Sequence, residues 1–203
     1  PSIGNLDDDD ELEIVFSGYS SNNKIFAINH DGTDVAGFPL SIGEKCKAGP
    51  ALADFNNNHK DDIVIGTDSD NLYLIYDDGS IASGFPFVAS DKFQSAPSIL
   101  ENDGQKIIFS GNNDNFLYAI NSDGTLRFSL ETNDRVNTSP SFVGINGEAY
   151  VLFGSKDDKI YIHDIEGNSL LNWPISVNGN IEGGIIVSDL DGDDDIEVIA
   201  VTD

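Results

Sequence analysis

Three segments of the sequence carry oxygen-bearing side chains at a spacing that suits a bound cation. In the last of them Asp189, Asp191, Asp193 and Glu197 occupy positions 1, 3, 5 and 9, and Asp195 at position 7 can offer its backbone carbonyl. Alternate positions of a tight turn converge on one point. Several hard anionic oxygens around one point suit Ca²⁺, which takes about six to eight oxygen ligands. The sequence therefore predicts a calcium site in this segment.

Two earlier segments repeat the spacing with other side chains. We call the three segments loop A (residues 5–13), loop B (54–62) and loop C (189–197), and they hold 15 of the 36 acidic residues. An even distribution would place far fewer there, so the clustering needs a cause; the alternative to calcium is a solvated acidic hairpin. At positions 1, 3, 5, 7 and 9 the candidate ligands are Asn5, Asp7, Asp9, Glu11 and Glu13 in loop A, and Asp54, Asn56, Asn58, Lys60 and Asp62 in loop B.

The loops belong to a unit of roughly 45 residues that recurs along the chain. Pro1, Pro50, Pro97 and Pro140 open four units, and a fifth begins near Gly184 without its proline. Two further markers run in phase with the prolines. They are Asp31-Gly32, Asp78-Gly79, Asp123-Gly124 and Glu166-Gly167, and Phe38-Pro39, Phe85-Pro86, Phe128-Ser129 and Trp173-Pro174. This period, with several short strands per unit, is typical of β-propeller blades.

Short apolar runs bounded by Gly, Asn and Asp indicate four antiparallel strands per unit and no helix. We predict an all-β propeller, with the outermost strand of the first blade beginning at Gly37-Phe38-Pro39-Leu40, and we expect the recurring aromatic side chains to pack between neighbouring blades rather than to stack on a ligand. The third and fourth units have only short turns at 101–105 and 144–148, where we expect no metal. The whole chain is read as one propeller segment, with blades at about 1–49, 50–96, 97–139 and 140–183 and half a blade at 184–203.

The acidic loops resemble the Asp-x-Asp-x-Asp-Gly-x-x-Asp calcium loop of FG-GAP repeats, also called VCBS repeats, which build integrin-type β-propellers. The resemblance rests on Asp189-Asp191-Asp193-Glu197 and Asp54-Asn56-Asn58-Asp62, with Asn5-Asp7-Asp9-Glu13 as a variant. The segment 117–125 is similar to the repeats of quinoprotein-type, PQQ-like propellers. Together the resemblances span the chain and imply a calcium-binding propeller. They also imply a longer parent of about six to eight blades.

Composition excludes some classes of partner. The net charge is −26, with 36 acidic against 10 basic residues, which argues against binding to nucleic acid or to an anionic membrane through a basic face. No apolar run reaches the length of about 18 residues that membrane insertion needs. The chain has no methionine and starts at Pro1, so we expect it to be part of a longer protein. Cys46 is the single cysteine, and we expect it to be an ordinary residue of a connecting segment.

The sequence offers no catalytic constellation. His30, His59 and His163 lie in different units, and no nucleophile elbow, zinc-protease or phosphate-loop motif is present. We therefore expect a calcium-binding, non-catalytic module that binds a protein or carbohydrate partner. Millimolar extracellular calcium would saturate loops of modest affinity, so we expect a secreted or cell-surface location. The alternatives are a fragment of a propeller-based secreted enzyme, such as a polysaccharide lyase or quinoprotein dehydrogenase, and a purely structural spacer.

Overall fold

The structure is a computed structural model that describes residues 1–19, 23–193 and 195–203. These residues form eighteen β-strands and no helix, and therefore no helix that could cross a membrane. The strands make five antiparallel sheets, in each of which every strand pairs with the next strand of the chain. The strands, sheet by sheet, are β1 (Ser2–Gly4), β2 (Glu13–Ser17), β3 (Lys24–Ile28) and β4 (Leu40–Ser41); β5 (Ala51–Ala53), β6 (Asp62–Gly66), β7 (Asn71–Ile75) and β8 (Phe87–Val88); β9 (Ser98–Asn102), β10 (Gln105–Gly111), β11 (Phe116–Asn121) and β12 (Leu126–Glu131); β13 (Ser141–Ile145), β14 (Glu148–Ser155), β15 (Lys159–Asp164) and β16 (Ile175–Ser176); β17 (Ile186–Ser188) and β18 (Glu197–Ile199).

The two middle strands of the second, third and fourth sheets are largely buried on both faces, whereas β2 of the first sheet leaves Ile14 44% exposed. All five residues of β6 are buried, because one face of the strand packs on the preceding sheet and the other on the following sheet. Such a strand needs β-branched or aliphatic residues at successive positions rather than an alternation of apolar and polar ones. The prediction of four full four-stranded blades and a half blade of two strands is confirmed.

The hydrophobic core is divided into clusters, each lying between consecutive sheets. Between the first and second sheets, for example, Val15 and Ala27 meet Ile63 and Ile75. The other clusters join the second sheet to the third, the third to the fourth and the fourth to the fifth. The first strands of three neighbouring pairs of sheets contact each other (β1 with β5, β5 with β9 and β13 with β17), and between the third and fourth sheets the hydroxyl of Ser98 donates to the carbonyl of Pro140 over 2.6 Å. The sheets therefore fan out from a common axis. No cluster of the described residues joins the first sheet to the fifth, and the sheets form an open arc.

The short outer strands β4 and β8 begin directly after the Phe-Pro marker of their unit. The prediction that the outer strand of the first sheet begins at Gly37 is wrong, because β4 comprises only Leu40–Ser41. Gly37 has φ 92° and its backbone lies against the turn of the next sheet, where an added Cβ would stand 2.2 Å from the carbonyl oxygen of Asp78. Gly84 meets the carbonyl of Asp123 in the same way. The third unit has no such glycine, and its outer strand extends over six residues.

The recurring aromatic residues pack between sheets, as predicted. Phe38 is buried in the cluster between the first and second sheets, and the equivalent aromatic residues pack on the three later clusters. Cys46 is also buried there, and burial raises the pKa of its thiol to about 12. It therefore serves as a small apolar residue, as expected of a residue in a connecting segment.

Candidate metal centre

The acidic loops connect the first strand to the second strand of their sheets. Loop A lies between β1 and β2, loop B between β5 and β6, and loop C between β17 and β18. The repeat therefore places all three loops at equivalent ends of their sheets. The turns at 101–105 and 144–148 occupy the same place in the third and fourth sheets. They are tight two-residue hairpins in which Asp103 and Gly104, or Asn146 and Gly147, adopt positive φ.

A shared set of hydrogen bonds shapes the three loops. In each, the backbone N–H of position 2 donates to the carboxylate of position 9, over 2.6 Å from Leu6 to Glu13, 2.7 Å from Phe55 to Asp62 and 2.8 Å from Leu190 to Glu197. The N–H of position 7 also donates to the side-chain oxygen of position 5 in all three. The predicted ligands at positions 5 and 9 thus help to set the conformation of their own loop.

Loop A brings together Asp7, Asp9 and Glu13, each of which offers a carboxylate oxygen within 4.8 Å of the other two. Glu13 has no exposed surface, and its Oε2 accepts the N–H of Leu6. Its Oε1 is buried and has no hydrogen-bond partner among the described residues. Burial raises the pKa of Glu13, and the charges of Asp7 and Asp9 raise it further. A buried carboxylate oxygen beside two more carboxylates is the environment that a hard cation would relieve.

Loop C brings together Asp189, Asp191 and Glu197, again with oxygens within 4.8 Å of one another. Gly192 adopts φ 81° and donates its N–H to Asp189 over 2.6 Å, which draws the turn around the cluster. This group is more exposed than the one in loop A. Asp193 and Asp195 lie outside the three-carboxylate group, and the N–H of Asp195 donates to Asp193 over 2.9 Å. Position 6, Asp194, lies outside the described residues.

Loop B satisfies its acidic oxygens with backbone donors. Asp62, which is fully buried, accepts the N–H of Phe55 at one oxygen and that of Asp77 at the other, over 2.7 and 3.1 Å. Asp54 likewise accepts the N–H groups of Asn58 and His59. Burial raises the pKa of Asp62 to about 6. With fewer carboxylates, loop B fits a cation less well than loops A and C.

Contacts between loops A and B involve residues that sequence reasoning missed. Lys60, predicted as a carbonyl ligand, directs its ammonium group to Asp8 of loop A over 2.9 Å and to Asp77 over 3.8 Å. The N–H of Asn5 donates to Asp61 over 3.0 Å. Lys60 and Asp8, like Asn5 and Asp61, are about fifty residues apart in the chain. Only the repeat of Asp-rich loops on adjacent blades could have indicated that they meet.

The three histidines lie apart from one another. His30 lies beside Asp9 and Glu11, and all three are exposed. His59 has φ 69° within loop B. His163 is stacked with Phe153 and Tyr161, and its burial lowers its pKa. Each histidine therefore has a separate environment, in the part of the chain that the structure describes.

The fold has many relatives among solved structures, although neither protein-family models nor curated proteins match the sequence. The chain is similar to BamB from Moraxella catarrhalis, with a TM-score of 0.66 and 18% identity over 93% of this chain and 52% of that one. It is similar to BBS1N in complex with ARL6DN, with a TM-score of 0.60 and 12% identity over 95% of this chain and 57% of that one. The V. cholerae biofilm matrix protein Bap1 gives a TM-score of 0.70 and 21% identity over 98% of this chain and 34% of that one.

These comparisons and the sheet arrangement define the class of protein. The chain folds as part of a β-propeller, with blades of four antiparallel strands, like the PQQ-like propeller of BamB. It spans between a third and three fifths of the length of the three proteins named above.

Proposed function

We propose that this chain is a calcium-binding, non-catalytic β-propeller module of the FG-GAP kind, which belongs to a secreted or cell-surface protein and binds a protein or carbohydrate partner. The buried, unpartnered Oε1 of Glu13 is the observation that carries the calcium assignment. Without a cation, burial raises the pKa of Glu13, and the charges of Asp7 and Asp9 raise it further. All three carboxylates could coordinate one bound Ca²⁺, whose charge would offset their mutual repulsion.

The three loops should differ in affinity because they differ in the number of carboxylates that they gather. Loops A and C each gather three carboxylates within 4.8 Å. Loop B has two amide side chains at positions 3 and 5, and backbone donors occupy Asp54 and Asp62. We expect calcium at all three loops, with loop B filled last.

The role in partner binding draws its support from the fold. One structural neighbour was crystallised as a complex with ARL6DN, and another is a biofilm matrix protein. A propeller blade array offers a broad, rigid surface from which connecting segments project, and this suits binding to large partners. The neighbours also extend beyond the region matched here, which supports further blades in a longer parent chain.

Calorimetric titration of CaCl₂ into the EDTA-stripped chain tests the proposal. We expect saturable binding, with one site lost in Asp9→Ala and another lost in Asp191→Ala. Asp103→Ala, which changes an acid in the tight turn at 101–105, is the matched control and should leave the titration unchanged. An absence of calcium binding at extracellular concentrations, about 1 mM, would refute the calcium assignment.

A further inference from the structure

The fifth sheet has an open strand edge. In each of the four full sheets the second strand pairs with the first strand on one side and with a third strand on the other. In the fifth sheet β18 pairs only with β17 among the described residues. The backbone groups of alternate residues point to opposite edges of a strand, so half of the residues of β18 direct their N–H and C=O to the open edge. Such an edge can pair with a further strand.

The second sheet shows which residues of β18 face this edge. There the N–H of Thr67 donates to the carbonyl of Asn71 in the third strand, so Ile63, four residues before Thr67, directs its backbone groups to the same side. Val198 follows loop C as Ile63 follows loop B. The backbone groups of Val198, and of Ala200 two residues later, therefore point to the open edge.

An apolar cavity of about 200 Å³ lies beside the open edge, between the fourth and fifth sheets. Every residue of its lining is apolar, which disfavours a saccharide or a charged ligand. The fourth sheet and the segment that follows it contribute Leu152, Ile162, Leu170 and Trp173, and the fifth sheet contributes Val187 and Val198, among others.

The corresponding space between the second and third sheets is filled by Ile120 of β11, the third strand of its sheet. Ile120 has no exposed surface and packs in one cluster with Leu74 and Ala82. The N–H of Ala82 donates to the carbonyl of Leu74, as the N–H of Leu170 donates to that of Ile162, so the two pairs are equivalent. The cavity beside β18 is therefore the place that a third-strand isoleucine occupies inside the chain.

Exposure of the cavity lining agrees with this comparison. Ala82 is 2% exposed and the equivalent Val35 is 3% exposed, because a third strand covers each of them. Leu170 and Trp173 are only half-buried, and among the described residues no third strand covers them. The fourth sheet thus presents part of an interface that is complete three times elsewhere in the chain.

The third strands that complete this interface share a pattern. In the third sheet Tyr118 lies opposite Ser110 and Ile120 lies opposite Ile108, and both side chains pack on the second sheet. An aromatic residue at one position and isoleucine two positions later recur in the first three sheets, as Phe26 and Ile28, Tyr73 and Ile75, and Tyr118 and Ile120.

We propose that the open edge of β18 and the cavity beside it bind an extended segment of a partner polypeptide, which adds to the fifth sheet as its third strand. The segment carries an aromatic residue opposite Ala200 and, two positions later, an aliphatic residue opposite Val198. The aliphatic side chain fills the cavity. The aromatic ring covers Ile175, which is 44% exposed, as Tyr118 packs on Phe87 with ring centroids 5.4 Å apart. Backbone hydrogen bonds hold the strand, and the two side chains select it.

This inference rests on the proposed role in binding a protein partner and not on the calcium sites. Its test uses Trp173, which lines the cavity and is the only tryptophan of the chain, as a reporter. The probe is a synthetic peptide of residues 116–131, which comprises β11 and β12 and contains no tryptophan. It is titrated into the whole chain in the presence of calcium, and binding is followed by tryptophan emission and by calorimetry.

Two variant peptides and one variant chain locate the contact. Tyr118→Ser combined with Ile120→Ser changes the side chains that would face the cavity. Leu117→Ser combined with Ala119→Ser changes the opposite face of the same strand and is the matched control. In the chain, Ala200→Pro removes an N–H that points to the open edge and leaves the pairing of β18 with β17 intact.

We expect the parent peptide to bind with Kd below about 1 mM and to shift the emission of Trp173 to shorter wavelength, because the ring loses contact with water. The cavity-facing variant should bind about tenfold or more weakly, and the control peptide should bind like the parent. Ala200→Pro should weaken binding while the thermal midpoint of the chain stays unchanged. If that midpoint falls, the two variant peptides decide the question alone.

The proposal is overturned if the parent peptide leaves Trp173 emission unchanged up to about 1 mM, or if both variant peptides bind equally well. It is also overturned if the emission shifts with the concentration of the chain alone, which would assign the cavity to a second copy. Calcium binding is titrated separately on the same sample, so a failure of the peptide to bind leaves the calcium assignment standing, and the converse also holds.

Discussion

Among single residues, Glu13 gives the clearest physical reason for a cation. It is buried without exposed surface, yet one of its oxygens lacks a partner and two carboxylates stand nearby. Desolvation and repulsion both raise its pKa, so the charged form is tolerated poorly in the absence of metal. The equivalent Asp62 of loop B has backbone donors at both oxygens, and burial raises its pKa to about 6.

Glu13→Gln should separate the cost of this buried charge from its value as a ligand. In EDTA the variant should melt at the same temperature as the parent chain or higher, because a neutral amide replaces a buried anion. In calcium it should lose the increment from loop A, which is about 2.7 kcal/mol for a site at a ligand concentration of 100 times Kd. Differential scanning calorimetry measures both effects, with Glu148→Gln in the tight turn at 144–148 as the control. An unchanged calcium increment in Glu13→Gln would show that Glu13 is not a ligand.

His163 should make stability depend on pH in the acid range. Burial lowers its pKa below the usual value of 6.5, so the unfolded chain binds a proton more readily than the folded chain. Its contribution to stability is therefore present above pH 6.5 and is lost as the pH falls through the folded-state pKa. In the first three sheets an isoleucine stands at the register position of His163, and these residues are Ile28, Ile75 and Ile120. The variant His163→Ile therefore introduces the residue that the other sheets carry at this position. Melting curves from pH 7.5 to 5 should fall less steeply for the variant; equal slopes would contradict the assignment.

At the scale of elements, the blades depend on close contact between the turns of neighbouring sheets. An added Cβ at Gly84 would stand 2.0 Å from the carbonyl oxygen of Asp123, and Gly124 approaches Gly84 from the other side. In the fourth sheet Gly167 lies under the ring of Phe128, and Arg127 donates to the carbonyl of Ile165 over 2.8 Å. The third and fourth sheets are thus joined by side chains where the earlier pairs are joined by glycine backbones.

Gly84→Ala should therefore destabilise the fold more than a substitution that changes only the backbone preference. Gly104 also has positive φ, 74°, but nothing lies within 4 Å of an added Cβ there. We expect Gly104→Ala to cost about 1 kcal/mol from its left-handed conformation and Gly84→Ala about 2 to 4 kcal/mol, because the second also forces two blades apart. Urea unfolding of both variants measures the difference. Equal costs would mean that the contact between Gly84 and Asp123 does not hold the blades together.

Strands, turns and contacts between blades could be predicted from the sequence to different extents. The second and third strands were predictable because doubly buried strands such as β6 are apolar at every position. The outer strand of the first sheet was placed too early because the close approach at Gly37 depends on the neighbouring sheet. The spacing within loops A and C correctly indicated that Asp7, Asp9 and Glu13, and Asp189, Asp191 and Glu197, come together. It could not show that Lys60 reaches Asp8, since that pair forms only when adjacent blades pack.

At the scale of the whole molecule, the first and the fifth sheets each leave one face exposed at an end of the arc, and both faces carry apolar side chains. Ile14 pairs with Ile28 as Ile63 pairs with Ile75, yet Ile63 is buried between sheets and Ile14 is 44% exposed. At the other end Ile186 is 61% exposed. Each end therefore presents one half of the interface that recurs between the sheets inside the chain.

The 203-residue chain should associate through these faces when it is isolated. Burial of the end faces would remove apolar surface from water at about 25 cal/mol per Å². Light scattering should show a mass that grows with concentration, and Ile14→Ser combined with Ile186→Ser should reduce that growth. Ser80→Ala, in a turn away from both ends, serves as the control. A stable monomer at all concentrations would contradict the prediction.

The central claim, that acidic loops of a propeller bind calcium, is tested most directly by anomalous X-ray diffraction from crystals grown with CaCl₂. The account predicts calcium peaks in loops A, B and C, with oxygen ligands at about 2.3–2.6 Å that include Glu13 and Glu197. It predicts none at 101–105 or 144–148. Density in all three loops with the contacts of water or sodium, and no anomalous signal, would contradict it.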